Sequence, residues 1–553
     1  MFTTVCRCLP LVLLLAALPL SAADLREALR DRLESIPPDQ PLMAGEHQVP
    51  GPGAVRRFYQ ERLFEPLWID AGGRVERAAE LLEVLVEAES HGLDRDDYGN
   101  GLLEALIDEL QAADGNLPAR VQVDLELLLS GTWMQYGSHA LMGRLNPQTI
   151  DPEWGIDRRG GDLPELLQAA ADEARLADGL RELFPGDPGY QRLREALGFH
   201  RQVQQRGGFT EVPDGPTLRP GDSEEQVALL RQRLQQSGDL SAKPDDQAPP
   251  ALFDDRLEAA VRGFQQRHGL EVDAVVGPAT RRALNVPAHR RVRQISVNLE
   301  RWRWMPRDLG ERYVMVNIAG FDMQVVDQGE KIMHQRVIVG RDYRQTPVFT
   351  GRMTYLVLNP YWEVPNSIAV RDILPQVRRD PSHLQRLGFQ VLRGWGAEQQ
   401  LLDPETIDWA TVPSRGFPYR LRQKPGPQNA LGRIKFMFPN RHAVYLHDTP
   451  ARELFRRADR AFSSGCIRVE EPEALAELLL DDPRWSRERI AEAIGSGREQ
   501  TVILQRPVPV HLQYMTAWVD ADGLVHLRND LYNRDSRVAD ALSTLPEGTS
   551  GGS

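Results

Sequence analysis

The spacing of apolar residues changes once along this chain, and that change limits the folds open to it. Residues 24–213 repeat apolar positions every three or four residues, as in Val75–Val86, which is typical of amphipathic helices. From Arg291 onward apolar and polar residues alternate, as in Tyr313–Ile318, which indicates antiparallel strands. A chain of 553 residues also exceeds one ordinary hydrophobic core. We therefore predict a multidomain α+β protein that begins with a mainly helical scaffold domain at residues 24–215.

The first 23 residues have the pattern of an export signal. One arginine precedes an apolar run over residues 9–20, and Ser21-Ala22-Ala23 then supplies the small residues of a cleavage site. The run is shorter than the ~20 apolar residues that cross a bilayer. We therefore predict cleavage after Ala23, with an uncleaved anchor as the alternative. Cys6 and Cys8 would leave with the signal peptide.

Charge is distributed unevenly along the chain. The net charge is −13, which argues against general binding of nucleic acid. Residues 291–460 nevertheless hold 27 Lys and Arg against 17 Asp and Glu, a local balance of +10 that leaves −23 for the rest. A basic segment in an acidic, exported protein favours an anionic ligand near that segment, although a solvated mixed surface explains the charges equally well.

A separate small unit is predicted at residues 216–288. Two amphipathic helices, Val227–Leu234 and Phe253–Gln265, precede the turn at Asp273–Thr280. This spacing resembles the three-helix peptidoglycan-binding domain, although Asp222-Ser223 and Asp273-Ala274 stand where that family often has glycine-containing turns. A three-helix bundle requires the same apolar positions whatever it binds, so binding to the cell wall is implied by the resemblance alone.

The strand-rich region, residues 289–506, contains a long insertion and is followed by a C-terminal segment. A helix over Ile368–Leu374 is expected to stop at Pro375, and residues 378–431 have no regular pattern. The aromatic residues of this insertion favour an ordered lid, which we place at residues 376–431. Residues 507–553 are predicted to hold a hairpin, with strands His511–Val519 and Leu524–Leu527, and a flexible tail at 547–553.

The mature chain keeps one cysteine, Cys466, within the sequence Ser463-Ser464-Gly465-Cys466-Ile467-Arg468. A single thiol forms no intramolecular disulfide and lacks the companion cysteines of a zinc or iron–sulfur site. It is therefore a buried apolar residue or a nucleophile.

His447 lies 19 residues before Cys466, at the end of a predicted hairpin formed by residues 434–438 and 443–447. Strand alternation places Tyr445 on the same face as His447 and places His442 on the other face. A helical stretch is predicted at residues 451–461. A histidine partner is a common means of forming a thiolate, but the residues alone leave His447 open between a base and an ordinary core histidine.

Together, Leu446-His447-Asp448-Thr449-Pro450 and the segment from Ser463 to Val469 closely resemble the YkuD-type L,D-transpeptidases, whose pattern is H-x(14–18)-[S/T]-x-G-C-x-[R/N]. His447 precedes Ser463 by 16 residues, within that pattern. Ser464 stands where many members have histidine. The order of a helical scaffold, a peptidoglycan-binding domain, a β-rich catalytic domain with a capping insertion, and a C-terminal hairpin is similar to the large periplasmic members of the family.

The resemblance implies a role for each residue of the motif. Cys466 is the expected nucleophile, and His447 is the expected proton acceptor and donor. The backbone N–H groups of Gly465 and Cys466 are the expected oxyanion donors, and Asp448, or a backbone carbonyl near it, is expected to orient the imidazole. Arg468 is expected either to hold a stem carboxylate or to brace the loop. The remaining substrate contacts are expected from Ser463, Ser464 and Tyr445, although core packing explains Tyr445 equally well.

The implied activity is the formation of 3–3 cross-links between peptidoglycan stems. Cys466 would attack meso-diaminopimelate in a tetrapeptide stem, release D-alanine, and pass the acyl group to a second diaminopimelate. Hydrolysis of the thioester, attachment of a wall protein, and a non-catalytic wall-binding scaffold are the alternatives. A sortase-like enzyme would arrange its Cys, His and Arg differently.

The same resemblance implies a periplasmic protein that carbapenems acylate. Its partners would be peptidoglycan tetrapeptide stems, as donor and acceptor, with other cell-wall synthases as candidate partners. No nucleic acid is expected, and a membrane contact is expected only through an uncleaved signal. We expect no cofactor and no metal, because His442 and His447 lie on opposite strand faces without a ligand cluster.

Overall fold

The computed structural model describes residues 22–241 and 249–544, which form two compact units. The first unit comprises residues up to Leu145, residues 160–186 and the C-terminal residues from Leu542. The second comprises residues 146–159 and 187–541. Residues 1–21 of the predicted signal peptide and the predicted tail at 547–553 lie outside the described residues. Within the described part of the chain, no helix is both long and apolar enough to cross a membrane.

The first unit is helical, as its periodicity predicts, apart from a small ribbon of strands β1 (Met43–Ala44) and β2 (His47–Gln48). Its central helix, Ala119–Met142, is buried along most of its length. The buried Glu126 carboxylate on this helix accepts hydrogen bonds from the N–H groups of Leu67, Trp68 and Ile69. The other helices of the unit are Ala22–Ser35, Pro52–Glu61, Ala78–Glu87, Asn100–Ala112, Leu163–Asp172 and Leu176–Arg181.

The last helix of the predicted scaffold, Pro188–Gln205, belongs to the second unit. It packs against helix Ala288–Arg303, where Arg303 donates a hydrogen bond to the buried Tyr190 hydroxyl at 3.2 Å. The predicted boundary at residue 215 therefore does not coincide with the boundary of the compact unit. Apolar spacing identified the helix but could not reveal which unit it packs against.

The predicted three-helix unit is present, with helices Glu225–Gln236, Asp255–Arg267 and Pro278–Leu284. Val227, Leu257 and Phe264 belong to its buried core. Ala274 adopts a φ of +63°, in the region that favours glycine, at one of the two turns where the resembled family often has glycine. The side-chain oxygen of Gln265 accepts hydrogen bonds from the N–H groups of Asp273 and Ala274 and holds this turn.

The β-rich domain is a sheet of nine strands in the order β13-β5-β14-β12-β11-β6-β15-β3-β4, and β5 also pairs with β4, so the strand order returns on itself. The central pair β12–β14 is parallel. The strands are β3 (Arg312–Asn317), β4 (Asp322–Asp327), β5 (Glu330–Gly340), β6 (Phe349–Leu358), β11 (Ile434–Met437), β12 (Leu446–His447), β13 (Ala461–Ser463), β14 (Ile467–Val469) and β15 (Gln500–Gln513). Helices Pro472–Leu480, Arg487–Gly495 and Arg534–Ser543 follow or interrupt these strands.

Three local predictions in this domain are wrong. Strand β15 runs through Pro507, so the predicted boundary at 506/507 falls inside a strand and the C-terminal hairpin is limited to β16 (Ala517–Val519) and β17 (Val525–Leu527). Residues 451–461 hold one short 3-10 turn, Arg452–Arg456, instead of a helix. The helix near Pro375 does not stop there, because Pro375 lies in the first turn of helix Leu374–Arg379, where its missing N–H is tolerated.

The insertion is ordered, as its aromatic residues indicate, but it is more regular than predicted and begins before residue 376, because its sheet starts at Trp362 and its core includes Ala369 and Ile373. Four strands lie in the order β7 (Trp362–Glu363), β10 (Arg420–Gln423), β8 (Phe389–Arg393) and β9 (Gln400–Leu402). A hydrophobic core that includes Val377, Val391, Trp409 and Leu421 holds the sheet against its helices. The fold class, multidomain α+β with a helical scaffold, a three-helix unit and a β-rich domain with an insertion, is confirmed.

Candidate active site

The candidate site lies on two adjacent parallel strands, β12 and β14. Leu446 pairs with Ile467 and His447 pairs with Arg468. The pairing continues one residue toward the N-termini, where the Ile467 N–H donates to the Tyr445 carbonyl at 3.1 Å. Because side chains alternate between faces along a strand, positions 445, 447, 466 and 468 share one face. The register therefore brings Cys466, His447, Tyr445 and Arg468 to one side of the sheet.

His447 is buried and held in one tautomer. Its Nδ1 donates a hydrogen bond to the backbone carbonyl of Asp448 at 2.5 Å, which leaves Nε2 unprotonated. Burial lowers the pKa of His447 to about 3, and the neighbouring cation of Arg468 contributes to the shift. The imidazole is therefore neutral at pH 7 and has a ring nitrogen that can accept a proton.

Asp448 orients the imidazole through its backbone and not through its carboxylate. The carboxylate accepts hydrogen bonds from the N–H groups of Arg433 and Thr449, both at 2.7 Å, and pairs with Arg452 at 2.8 Å. Burial raises the pKa of Asp448, and these hydrogen bonds oppose that rise. Of the two possibilities raised by the sequence, the carbonyl is the one in contact with the ring.

The loop before Cys466 is fixed by several hydrogen bonds. Gly465 has a φ of +114°, a conformation that favours glycine over residues with a side chain. Ser463 Oγ donates to the Cys466 carbonyl at 2.5 Å and accepts the Gly465 N–H at 3.1 Å. Thr346 Oγ1 donates to the Gly465 carbonyl at 2.9 Å. The loop is therefore held from within, by Ser463, and from outside, by Thr346.

The Cys466 side chain is partly exposed, and its Sγ lies 3.9 Å from the carbonyl oxygen of Ala443. Burial raises the pKa of the Cys466 thiol, while hydrogen bonding from Tyr445 and the cations of Lys435 and Arg468 offset part of that rise. Across the described ranges, no hydrogen bond connects this sulfur to the His447 imidazole. The resting pair is thus a neutral thiol and a neutral imidazole on one face.

Two groups that were predicted to contact the substrate, the Gly465 N–H and the Ser463 hydroxyl, form hydrogen bonds within the protein. The Gly465 N–H is donated to Ser463 Oγ, so in this arrangement it is not free to act as the predicted oxyanion donor. The Cys466 N–H has no hydrogen-bond acceptor within the described residues. Ser463 is buried, and its hydroxyl forms both of its hydrogen bonds inside the loop. Ser464 is exposed and accepts a hydrogen bond from Arg344 at 2.8 Å.

Arg468 remains without an ionic partner. In the part of the chain that the structure describes, its Nε is buried without a hydrogen-bond acceptor, and no carboxylate lies within ion-pair distance of its guanidinium. Burial lowers the pKa of Arg468. Within the described residues, the guanidinium donates no hydrogen bond to the loop of Cys466.

Sequence reasoning missed two side chains that face the site. The Lys435 Nζ lies 4.0 Å from the centroid of the Tyr445 ring, and Lys435 pairs with His447 across β11 and β12. Trp362 of the insertion lies near Tyr445, and its polar side chain opposes the rise that burial causes in the pKa of Tyr445. Because Lys435 lies between the apolar residues Ile434 and Phe436, strand alternation could have placed it on the same face as His447.

A second connection joins the insertion to the loop of Cys466. Asp372 of the insertion pairs with Arg344 at 2.5 Å, and Arg344 also donates to Ser464 Oγ. His442 lies in the turn between β11 and β12 and not on a strand as predicted, and its ring packs 4.9 Å from that of Phe349. Over residues 22–241 and 249–544, no group of three potential metal ligands is present.

Comparison with protein families matches three segments of the chain. Residues 53–197 match a family described as "Scaffold domain", residues 223–284 match "Putative peptidoglycan binding domain", and residues 311–503 match the YkuD family, described as "L,D-transpeptidase catalytic domain". Together these segments follow the order that the sequence predicts.

Two curated proteins are similar to parts of the chain. A protein of Haemophilus influenzae named "Putative L,D-transpeptidase" is 36% identical over 245 residues, which make up 44% of this chain and 48% of that protein. "N-acetylmuramoyl-L-alanine amidase CwlM" of Mycobacterium tuberculosis is 42% identical over 82 residues, which make up 14% of this chain and 20% of that protein. The chain thus spans less than half the length of either relative.

One solved structure is also similar, the "Crystal structure of the L,D-transpeptidase (residues 123-326) from Xylanimonas cellulosilytica DSM 15894". It is 17% identical, covers 55% of this chain and 100% of its own, and has a TM-score of 0.18, which is too low to support a structural argument.

Proposed function

The chain carries a YkuD L,D-transpeptidase catalytic domain, preceded by a scaffold domain and a peptidoglycan-binding domain, and from this premise we propose that it forms 3–3 cross-links in peptidoglycan through a thioester at Cys466. The donor is a tetrapeptide stem that loses its terminal D-alanine, and the acceptor is the side-chain amine of diaminopimelate in a second stem. The reaction takes place in the periplasm, where this polymer lies.

One observation supports the assignment most strongly: the register of β12 and β14 places Cys466 and His447 on one face. Paired strands are about 5 Å apart and alternate residues about 7 Å apart, so the two side chains are diagonal neighbours. Thiol catalysis needs a nucleophile and a base on one face, and the two residues share a face although no hydrogen bond joins them in this resting arrangement within the described residues. The hydrogen bond between His447 and the Asp448 carbonyl supplies the third, orienting group.

Acylation begins from the neutral pair. Because burial lowers the pKa of His447 to about 3 and raises that of Cys466, a stable thiolate–imidazolium pair is not favoured before the substrate binds. The thiol proton moves to His447 Nε2 as Sγ attacks the carbonyl carbon of diaminopimelate. The imidazolium then protonates the leaving amine of D-alanine as the carbon–nitrogen bond breaks, and the thioester remains on Cys466.

The oxyanion of the tetrahedral intermediate needs fixed donors. The Cys466 N–H is the candidate available in this arrangement, and a fixed N–H of this kind typically lowers the barrier by ~3–4 kcal/mol. The Gly465 N–H can join it only after it leaves Ser463 Oγ. Arg468, which has no carboxylate partner within the described residues, is the candidate ligand for a stem carboxylate.

Transfer to the acceptor regenerates the enzyme. The neutral imidazole removes a proton from the attacking amine, an amide forms at the acyl carbon, and the carbon–sulfur bond breaks to return the thiol. The insertion favours this outcome over hydrolysis if it shields the thioester from water. Its contacts with the site, Trp362 on Tyr445 and Asp372 on Arg344, are consistent with such a lid.

Purified disaccharide-tetrapeptide incubated with the full chain tests the proposal, with products separated by chromatography and identified by mass spectrometry. We expect a cross-linked dimer and free D-alanine from the wild type and neither from Cys466→Ala. A product that consists of disaccharide-tripeptide alone would instead assign an L,D-carboxypeptidase. A folded wild type that releases no D-alanine would favour the non-catalytic scaffold.

A further inference from the structure

Lys435 is the one cation on β11 that faces the candidate site. Its neighbours Ile434 and Phe436 are fully buried in the core, so alternation directs Lys435 to the opposite face, where it pairs with His447. Its ammonium lies 4.0 Å from the centroid of the Tyr445 ring, a favourable cation–π distance. In the described part of the chain, no carboxylate lies within ion-pair distance of it.

Half-buried lysines usually gain a carboxylate partner, because removing an ammonium from water is costly. Lys435 instead lies over the Tyr445 ring, on the sheet face that it shares with Cys466. Burial lowers its pKa, and the charges of Cys466 and Glu499 oppose that shift. The Glu499 carboxylate accepts a hydrogen bond from the Tyr361 N–H at 2.8 Å.

The other ionisable groups around the sulfur leave few choices for its counter-charge. On β12 these are Tyr445 and His447, and the His447 imidazole is neutral at pH 7. On β14 the ionisable group is Arg468, and the nearby charges of Arg341 and Glu453 act on its pKa in opposite directions. The Asp448 carboxylate is occupied by two N–H groups and Arg452. Before proton transfer the imidazole is neutral, so the permanent cations on this face are Arg468 on β14 and Lys435 on β11.

We propose that Lys435 is the positioning residue that supplies the counter-charge for the Cys466 thiolate, acting across the Tyr445 ring. The inference rests on the proposed role of Cys466 as nucleophile. His447 then accepts the thiol proton, while the negative charge that remains on sulfur is balanced by the lysine and by Arg468. This divides proton transfer and charge stabilisation between residues on different strands.

Alkylation of the thiol by iodoacetamide tests this without any peptidoglycan substrate. The full chain, Lys435→Met, Lys435→Arg and the control Lys331→Met would be alkylated from about pH 5 to pH 10 and followed by intact mass. Met preserves the length of the lysine side chain and removes its charge, whereas Lys331 is an exposed lysine on β5. Far-UV circular dichroism and thermal midpoints identify any variant that is not folded.

We expect Lys435→Met to shift the inflection of the alkylation rate upward by about one pH unit, which slows alkylation at pH 7 about tenfold. Lys435→Arg, which keeps the charge, should restore most of the rate, and Lys331→Met should match the wild type. A folded Lys435→Met with an unshifted profile would overturn the inference, as would an arginine variant no better than methionine. Because the assay reads the thiol directly, loss of cross-linking for another reason leaves the profile unchanged.

Discussion

Thr346 holds the loop of the nucleophile from outside, and its hydroxyl can be removed without changing the shape of the side chain. Thr346 is fully buried. Its Oγ1 accepts the Gly340 N–H at 2.9 Å and donates to the Gly465 carbonyl at 2.9 Å. Valine fills the same volume but offers neither bond, so Thr346→Val leaves two backbone groups without these partners in the interior.

Each buried polar group that loses its partner costs about 1–3 kcal/mol, so the loss of two partners should lower stability by roughly 2–6 kcal/mol. A loss of 1 kcal/mol lowers the thermal midpoint of a domain of this size by roughly 2–4 °C, which predicts a fall of roughly 4–24 °C. The freed Gly465 carbonyl also releases the backbone next to Cys466. Misplacement of a reacting group by about 1 Å can cost about a hundredfold in rate.

Scanning calorimetry and the rate of carbapenem acylation measure the two effects on the same samples. Thr346→Ser keeps the hydroxyl and loses one methyl group, so it should retain most of the acylation rate while it loses some stability. We expect Thr346→Val to acylate at least tenfold more slowly than Thr346→Ser, at a temperature where both are folded. Equal acylation rates for the two variants would refute the view that this hydroxyl positions the loop.

Three further outcomes are expected. Asp372→Asn removes the ion pair with Arg344 that joins the insertion to the catalytic loop, so hydrolysis of the acyl-enzyme should become severalfold faster. The half-life of the acyl-enzyme is followed by intact mass, and an unchanged half-life would exclude a lid role for this pair. Burial lowers the pKa of His447 to about 3. The unfolded chain, where the pKa of histidine is about 6.5, therefore takes up a proton that the folded chain does not, and wild-type stability should fall more steeply than that of His447→Asn as the pH drops from about 7 to 5; parallel thermal midpoints would contradict this. Gly465→Ala forces a side chain into a φ of +114° and should cost about 1–3 kcal/mol. The control Gly495→Ala, at a helical position with open space and no positive φ, should keep or slightly raise the midpoint, and equal midpoints for the two variants would remove the strain argument.

The sequence was informative where local rules determine the structure. Strand alternation correctly placed Tyr445 and His447 on one face, because the period of a strand does not depend on what surrounds it. The same rule applied to β11 would have placed Lys435 on that face. Motif spacing located Cys466 near His447, although only the parallel pairing of β12 and β14 reveals how the two positions meet.

The errors arose where tertiary context overrode a local signal. The boundary predicted at 506/507 falls inside β15, where a shift of register between Ile503 and Val508 accommodates the irregular segment around Pro507 and Pro509 and lets the strand continue. The use of the Gly465 N–H by Ser463 Oγ depends on side-chain rotamers that no pattern of residue types specifies. Pro375 was predicted to end a helix, yet it follows a π-helical stretch at Ala369–Ile373 and begins the next helical turns.

The most direct test of the account is the mass of the protein after brief exposure to a tetrapeptide donor. The account predicts one acyl adduct on the wild type, located by peptide mapping on the peptide that contains Cys466, with release of D-alanine. It predicts no adduct on Cys466→Ala and a much slower adduct on His447→Asn. An adduct of equal yield on Cys466→Ala, or a fully active His447→Asn, would contradict the pairing of this thiol with this imidazole.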